Sequence, residues 1–412
     1  MVTLDEERFV DTMREQAEIG GTEDGGLHRL ALSEEDREVR DWLTEQLESL
    51  GLTVRVDEFG NMFARRDGTD PDAAPVLVGS HLDSQPYGGI YDGALGVVAA
   101  LELLRTLEDE DVATEHPVEV VNWTNAEGSR VQPAVQGSGV WVGEHDIDEQ
   151  YERTDEHGDR LVDELERIGY RGDEPAEPRE EYEAALELHI EQGPYLELDD
   201  VPVGVVTGVV GFFWGATTFY GEADHSGPTP MHYRNDALVA AADVVTQVRR
   251  IPSTLGERTV GTVGYVDVEP NSINIIPEEV TMTWGFRDPS DEVVEEARAR
   301  AVAESEVAAE REGVDWEWEE RMRSESVDFA DKCVDAVQGA ADDLGYENRR
   351  IYSGAGHDAA HLSKFCDTSM VFAVSENGKS HSEEEYTSWE DCYRAANTLA
   401  NAAVRIAEGG SA

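Results

Sequence analysis

Lysine is nearly missing from this chain of 412 residues: it stands only at Lys332, Lys364 and Lys379, so almost all of the 32 basic residues are arginine. Positive charge of either kind is outnumbered by 90 aspartates and glutamates, for a formal net charge of −58. The acid is spread along the chain, and a molecule so negative repels phosphate backbones, which excludes nucleic acid as a partner. Cysteine is sparse too. Cys333, Cys366 and Cys392 are odd in number and widely spaced, which argues against a disulfide framework and against a cysteine metal site. No apolar run approaches the length a bilayer needs, and the opening MVTLDEERFV is charged. The expectation is a cytoplasmic protein with no membrane partner and reduced thiols.

Self-repulsion on this scale opposes a compact state unless salt screens it, and the screening length falls from about 10 Å at 0.1 M to roughly 3 Å at 1 M. The composition therefore points to an extreme halophile with a salt-rich cytoplasm. The length is enough for two or three domains.

What is present is concentrated around residues 75–104, PVLVGSHLDSQPYGGIYDGALGVVAALELL. Residues 75–79 read as a buried strand of a parallel sheet. His81 and Asp83 follow at its end, and Asp92 stands at the mouth of a helix that begins near Ala94. Open α/β sheets place ligands at this carboxyl edge. Taken alone, a histidine at a strand end is more often structural than a ligand. His81 is not alone. A strand over 118–123 leads into Glu127, one over 184–188 into His189, and one over 370–374 is followed by His381. Three imidazoles and two carboxylates are too many for one catalytic zinc with an open position, and suit two metals bridged by one carboxylate. Imidazole and carboxylate ligands fit Zn, Mn, Co or Ni.

GSHLDS, YDGALGV, TNAEGSR, QGSGVW, HIEQGP, DHSGPTPM, PNSINIIP, FRDP, SGAGHDA and SHSEEE occur in that order. With these motifs the chain resembles the amidase/hydantoinase-carbamoylase family of dinuclear metallohydrolases, whose members include N-carbamoyl-L-amino acid hydrolases, β-ureidopropionases and allantoate amidohydrolases. The likeness runs from about residue 27 to 403. It implies hydrolysis of a linear amide in a small ureido or N-carbamoyl acid, by a homodimer holding two divalent metal ions. In the implied roles His81 and His189 hold one metal, Glu127 and His381 the other, Asp92 bridges them and Asp83 orients His81. His225 of DHSGPTPM would reach the neighbouring subunit's active site to stabilise a developing negative oxygen. Asn274 and Arg287 would hold the substrate, the arginine gripping its carboxylate in a bidentate fork. Gln192, Gly356 and His357 match other substrate-pocket positions.

One residue departs from the pattern. Where the family has a glutamate before the metal-binding glutamate, as general base, this chain has Ala126. Losing a general base costs roughly 10²- to 10⁴-fold in rate. Three accounts stay open: an engineered change, a natural protein with silenced catalysis, or an enzyme that recruits another acid such as Glu191. An aminoacylase- or dipeptidase-like hydrolase is the alternative among enzymes. A non-catalytic metal- and ligand-binding protein is the alternative outside them.

The fold class these patterns predict is α/β: a doubly wound, mixed-sheet metallohydrolase domain with an inserted ferredoxin-like α+β lid or dimerisation domain. Ser33 with three acids after it caps a helix that Gly51 stops, and 149–180 reads as a solvated helix with loops. From about 209 the reading is strand 213–221, helix 236–250, strands 259–268 and 280–285, helix 291–312 and strand 314–318, the split β-α-β-β-α-β order. The catalytic domain would then comprise 1–207 and 324–412, around an insert of 208–323. Its second half would supply a helix over 327–344, a strand bearing His381 and a closing helix over 389–406.

Overall fold

The computed structural model describes residues 1–409. In chain order its strands are β1 (Val54–Val56), β2 (Met62–Arg66), β3 (Val76–His81), β4 (Val118–Trp123), β5 (Ala184–Ile190), β6 (Val203–Val209), β7 (Gly211–Tyr220), β8 (Val260–Glu269), β9 (Glu279–Asp288), β10 (Asp315–Ser324), β11 (Val327–Asp328), β12 (Asn348–Ser353) and β13 (Thr368–Ala373). The chain divides into two compact units, Met1–Gly208 with the segment from Asp328 onward, and Val209–Val327. The second unit extends past residue 323 because β10 itself continues to Ser324.

In the larger unit the sheet order is β1-β2-β4-β3-β5-β13-β6-β11, with β12 also on β6. The pairs β4–β3, β3–β5 and β5–β13 are parallel, whereas β1–β2, β2–β4 and β13–β6 are antiparallel. Four parallel strands thus end at one edge. Every residue of β3, β4, β5 and β13 is buried. That is why they read as continuous apolar runs rather than alternating ones. The helix Ala94–Asp109 packs on β3 and β5, and the helix Trp389–Ala407 on β5 and β13. Gly96 lets the first helix lie close: a Cβ there would meet the Ser80 side chain at 2.7 Å and the Leu188 carbonyl at 2.4 Å. Leu77, Val121 and Ala185 point to the other face of the sheet, into a cluster with Phe63, Trp123, Trp141, Tyr182 and Leu362. The sheet is therefore covered on both faces. β3 sits between β4 and β5, so the chain winds first one way and then the other from it, and this switch opens a crevice at the carboxyl edge.

Helix starts follow the expected chemistry. Ser33 accepts from Asp36 N ahead of Glu34–Ser49, and Asp236 accepts from Leu238 N and Val239 N ahead of Ala237–Arg250. The predicted helix over 327–344 begins later, at Asp331, because Val327–Asp328 pairs in the sheet as β11. His381 lies in a loop eight residues past the end of β13, not on a strand, with φ of 57°.

The smaller unit is an antiparallel sheet of order β10-β7-β9-β8, and the helices Ala237–Arg250 and Asp291–Glu312 pack against it. Its core gathers Phe213, Phe219, Met282, Trp284 and Phe286 with alanines of both helices. The Trp284 indole donates to Thr217 Oγ1 at 2.8 Å, so the largest of these side chains buries no orphaned donor. At the end of the sheet order, β8 leaves Val260, Tyr265 and Val266 exposed.

Candidate metal centre

His81 is the last residue of β3, and its Nδ1 lies 2.9 Å from the main-chain oxygen of Asp83. A carbonyl can only accept, so Nδ1 carries the hydrogen and Nε2 is left with its lone pair, 3.6 Å from Asp92 Oδ1. His189, next to last in β5, repeats the device: Nδ1 donates to the Ile190 carbonyl at 2.9 Å, and Nε2 stands 2.9 Å from the same Asp92 oxygen. Asp92 reaches both rings because the turn before the helix Ala94–Asp109 brings it over the strand ends. Its other oxygen, Oδ2, lies 3.5 Å from His381 Nε2, which is 3.6 Å from Glu127 Oε2. Glu127 is in the loop after β4, and Gln85 Nε2 donates to its Oε2 at 3.0 Å.

All five expected ligands thus come together, as two groups of three: His81, Asp92 and His189, and Asp92, Glu127 and His381. Asp92 belongs to both. All lie within the larger unit.

The electrostatics of this cluster call for cations. Burial opposes charge on Asp92, but His189 and the other rings hold its carboxyl well below the usual range. Burial pushes Glu127 well above its usual range, and Asp92 and Asp83 push the same way. His189 is pulled down by burial and lifted more strongly by Asp92, up to about 10. Glu127 Oε1 and Gln192 Oε1 are buried without a hydrogen-bond partner. Ring nitrogens and carboxylate oxygens that converge on one another, with two buried oxygens without donors, fit bound metal ions. The donor set, three imidazoles and two carboxylates, suits Zn, Mn, Co or Ni.

Around the ligands, the structure differs from the sequence reading in detail. Asp83 holds His81 through its carbonyl; its carboxylate lies 3.7 Å from that ring and accepts instead from Ala126 N at 3.2 Å and Glu127 N at 3.1 Å. It therefore pins the loop that delivers Glu127. Gln192, left-handed at φ 56°, places Nε2 2.6 Å from Asp92 Oδ2 and 3.1 Å from His381 Nε2. His357 is buried, with Nε2 2.9 Å from Ser353 Oγ and its ring edge-on to His189 at 4.5 Å between centroids. A Cβ on Gly356 would meet nothing, so the backbone there borders open space. Ala126 is buried. Glu191, the acid considered as a replacement base, spends its oxygens on the backbone N–H groups of Tyr195 and Leu196, both at 2.8 Å.

The remaining sequence candidates lie in the smaller unit. His225 and Asn274 are neighbours there, with Asn274 Nδ2 3.4 Å from His225 Nε2 and Ser226 Oγ donating to Asn274 Oδ1 at 2.8 Å. Arg287 sits apart from them on β9, its guanidinium 5.6 Å from the Phe212 ring centre.

Sequence reasoning missed Gln85, Ser380 and Glu385. Ser380 Oγ lies 3.1 Å from Asp92 Oδ2 and 2.9 Å from Glu385 Oε2. Three glutamates follow in a row after Ser382, and no periodicity marks the third as the buried one.

The sequence profile of peptidase family M20/M25/M40 matches residues 77–405. The chain belongs to that family. Among its relatives, an N-carbamoyl-L-amino-acid amidohydrolase of Rhizobium meliloti is 41% identical over 98% of this chain and 96% of its own length. Another of that name, from Geobacillus stearothermophilus, is 36% identical over 98% of this chain and 99% of its own. The crystal structure of a hydantoinase/carbamoylase family amidase from Burkholderia multivorans superposes with a TM-score of 0.95 at 43% identity, covering 99% of both chains.

Proposed function

We propose that this chain is a dinuclear metal-dependent amidohydrolase of N-carbamoyl-L-amino acids. The observation that carries the reading is the pair of ligand groups sharing Asp92 at the carboxyl edge of the sheet, in a chain whose full-length relatives bear that activity in their names. His81 and His189 would hold one ion and Glu127 and His381 the other, with Asp92 shared between them. Bound there, divalent cations would supply Lewis-acid polarisation of the substrate carbonyl and acidification of the attacking water.

The protein's own groups do the rest. The carbonyls of Asp83 and Ile190 fix the tautomers of His81 and His189, so neither ring has to reorient when ligand arrives. In the roles the family likeness implies, Arg287 would grip the substrate carboxylate, Asn274 would also hold the substrate, Gln192, Gly356 and His357 would belong to the substrate pocket, and His225 would stabilise the oxygen that becomes negative. In a homodimer His225 would serve the neighbouring subunit. The exposed edge strand β8, with Val260, Tyr265 and Val266 outward, supports such pairing, since an unpaired apolar edge invites a second chain. The composition supports a salt-rich cytoplasm as its place of work.

Proton transfer is where this chain is deficient. Hydrolysis must take a proton from water and give one to the leaving nitrogen. At Ala126 no carboxylate is available for that, the Asp83 oxygens face backbone N–H groups, and Glu191 caps a helix. The chain therefore binds metal and substrate and turns over slowly. The test is ammonia release from a panel of N-carbamoyl-L-amino acids, allantoate, N-acyl amino acids and dipeptides, with the chain as it stands and with Ala126→Glu. The N-carbamoyl substrates should lead, and Ala126→Glu should raise kcat with little change in KM, as for an interaction made in the transition state. Faster turnover of dipeptides or N-acyl substrates would overturn the substrate assignment.

A further inference from the structure

Glu385 is buried, yet neither its position in the chain nor the ligand set gives it a task. Its Oε1 accepts from the backbone N–H groups of Tyr91 at 3.3 Å and Asp92 at 3.2 Å. Its Oε2 accepts from Ser380 Oγ at 2.9 Å, in the residue next to His381. One carboxylate thus ties the turn that carries the bridging Asp92 to the loop that carries His381. The seat is tight. A Cβ on Gly89 would lie 2.0 Å from Glu385 Oε1, so only glycine leaves room for the carboxylate at that turn. Ser380 Oγ also lies 3.1 Å from Asp92 Oδ2 and accepts from Gln192 Nε2 at 3.3 Å, so the link ends on the ligands themselves.

We propose that Glu385 is a positioning residue, which sets the distance between Asp92 and His381 and thereby the affinity of the second, loop-borne metal ion. The proposal rests on the dinuclear reading of the centre. His81 and His189 come from buried strands and are held by their own carbonyl contacts, so the first ion meets this link only through Asp92, whereas the second meets it through both Asp92 and His381. His381 is in a loop, half exposed, and its ring lies near Asp92, Glu127 and Gln192. Residues that orient ligands from behind typically change metal affinity roughly 10- to 100-fold.

The test is calorimetric titration of the metal-stripped full chain with Mn²⁺, which needs no substrate. The parent should show two binding steps. In Glu385→Leu the weaker step should fall roughly 10- to 100-fold while the tighter one is retained. Glu385→Gln, whose amide oxygen can accept both N–H bonds while its nitrogen donates to Ser380, should restore most of the weaker step. A role confined to packing would lower the melting temperature without this selectivity and without rescue by glutamine. Should Glu385→Leu fail to fold, Gly89→Ala displaces the carboxylate without removing it, and the same selective loss is expected. Two unchanged steps in Glu385→Leu, or in Gly89→Ala if that is the variant measured, would overturn the proposal. A parent that takes up fewer than two ions would instead overturn the dinuclear reading.

Discussion

His81 and His189 stand at the ends of buried parallel strands with side chains 7% and 2% exposed, whereas Glu127 and His381 stand on loops and the His381 side chain is 48% exposed. The two halves of the centre share Asp92 but are built by different means. In the deep half, sheet hydrogen bonding fixes the backbone and a carbonyl fixes each ring. In the shallow half, side chains do that work: the Asp83 carboxylate holds the loop of Glu127, Gln85 holds its Oε2, and Glu385 with Ser380 holds the loop of His381. Strand ends deliver ligands with little freedom left to lose, while loops need auxiliary hydrogen bonds to reach comparable order. On the dinuclear reading proposed above, an ion at His81 and His189 should therefore bind more tightly than one at Glu127 and His381.

The strongest way to break this comparison is to remove what the halves share. Asp92→Ala should abolish uptake of both ions, measured by elemental analysis, while His381→Ala should leave about one ion per chain. If His381→Ala keeps two, the shallow half is not built as described. Next in size comes Ala126→Glu, which adds a base beside Glu127 and should raise turnover by roughly 10²- to 10⁴-fold while leaving metal content unchanged. If the Ala126 chain already turns over at about 10 per second and the variant is no faster, the base lies elsewhere.

The parallel strands were legible because burial on both faces forces unbroken apolar runs, and the ligands were legible because histidine and acid recur after each run. Val118–Trp123 and Asp291–Glu312 have the bounds read from the sequence. The rest depended on tertiary pairing. Val327–Asp328 follows a strand-rich unit and precedes a helix, and only its bond to β6 decides for sheet. The family likeness implied Asp83 as the partner of His81; its carbonyl makes that contact, while its carboxylate turns to the next loop, 43 and 44 residues away. Glu385 was hidden among equal neighbours, because which of three consecutive glutamates points inward is set by a loop without periodicity. The site residues of the smaller unit, His225, Asn274 and Arg287, came from motif likeness alone, and their assignment remains a proposal.

A smaller effect concerns protons. His189 is raised to about 10 by Asp92, and His381 is raised by its hydrogen bond to Asp92. A raised value means that in the metal-free chain a proton holds the place a metal must take. Metal affinity should then strengthen as pH rises through the neutral range, with proton release on binding. Calorimetry in buffers of different ionisation enthalpy measures this; affinity independent of pH would contradict it. The smallest effect on the centre is that of salt, which acts through the surface. Diluting KCl from about 1 M to about 0.1 M should lower the folded fraction seen by circular dichroism, as screening of 90 acidic groups weakens. Full stability in dilute buffer would remove the halophilic reading and leave the metal centre untouched.

The most direct test is anomalous diffraction from crystals of the full chain grown with Mn²⁺. Two peaks roughly 3.5–4 Å apart are predicted, one against His81 and His189, the other against Glu127 and His381, with one Asp92 oxygen on each. A single peak, or an Asp92 carboxylate that touches only one of two ions, would contradict the account.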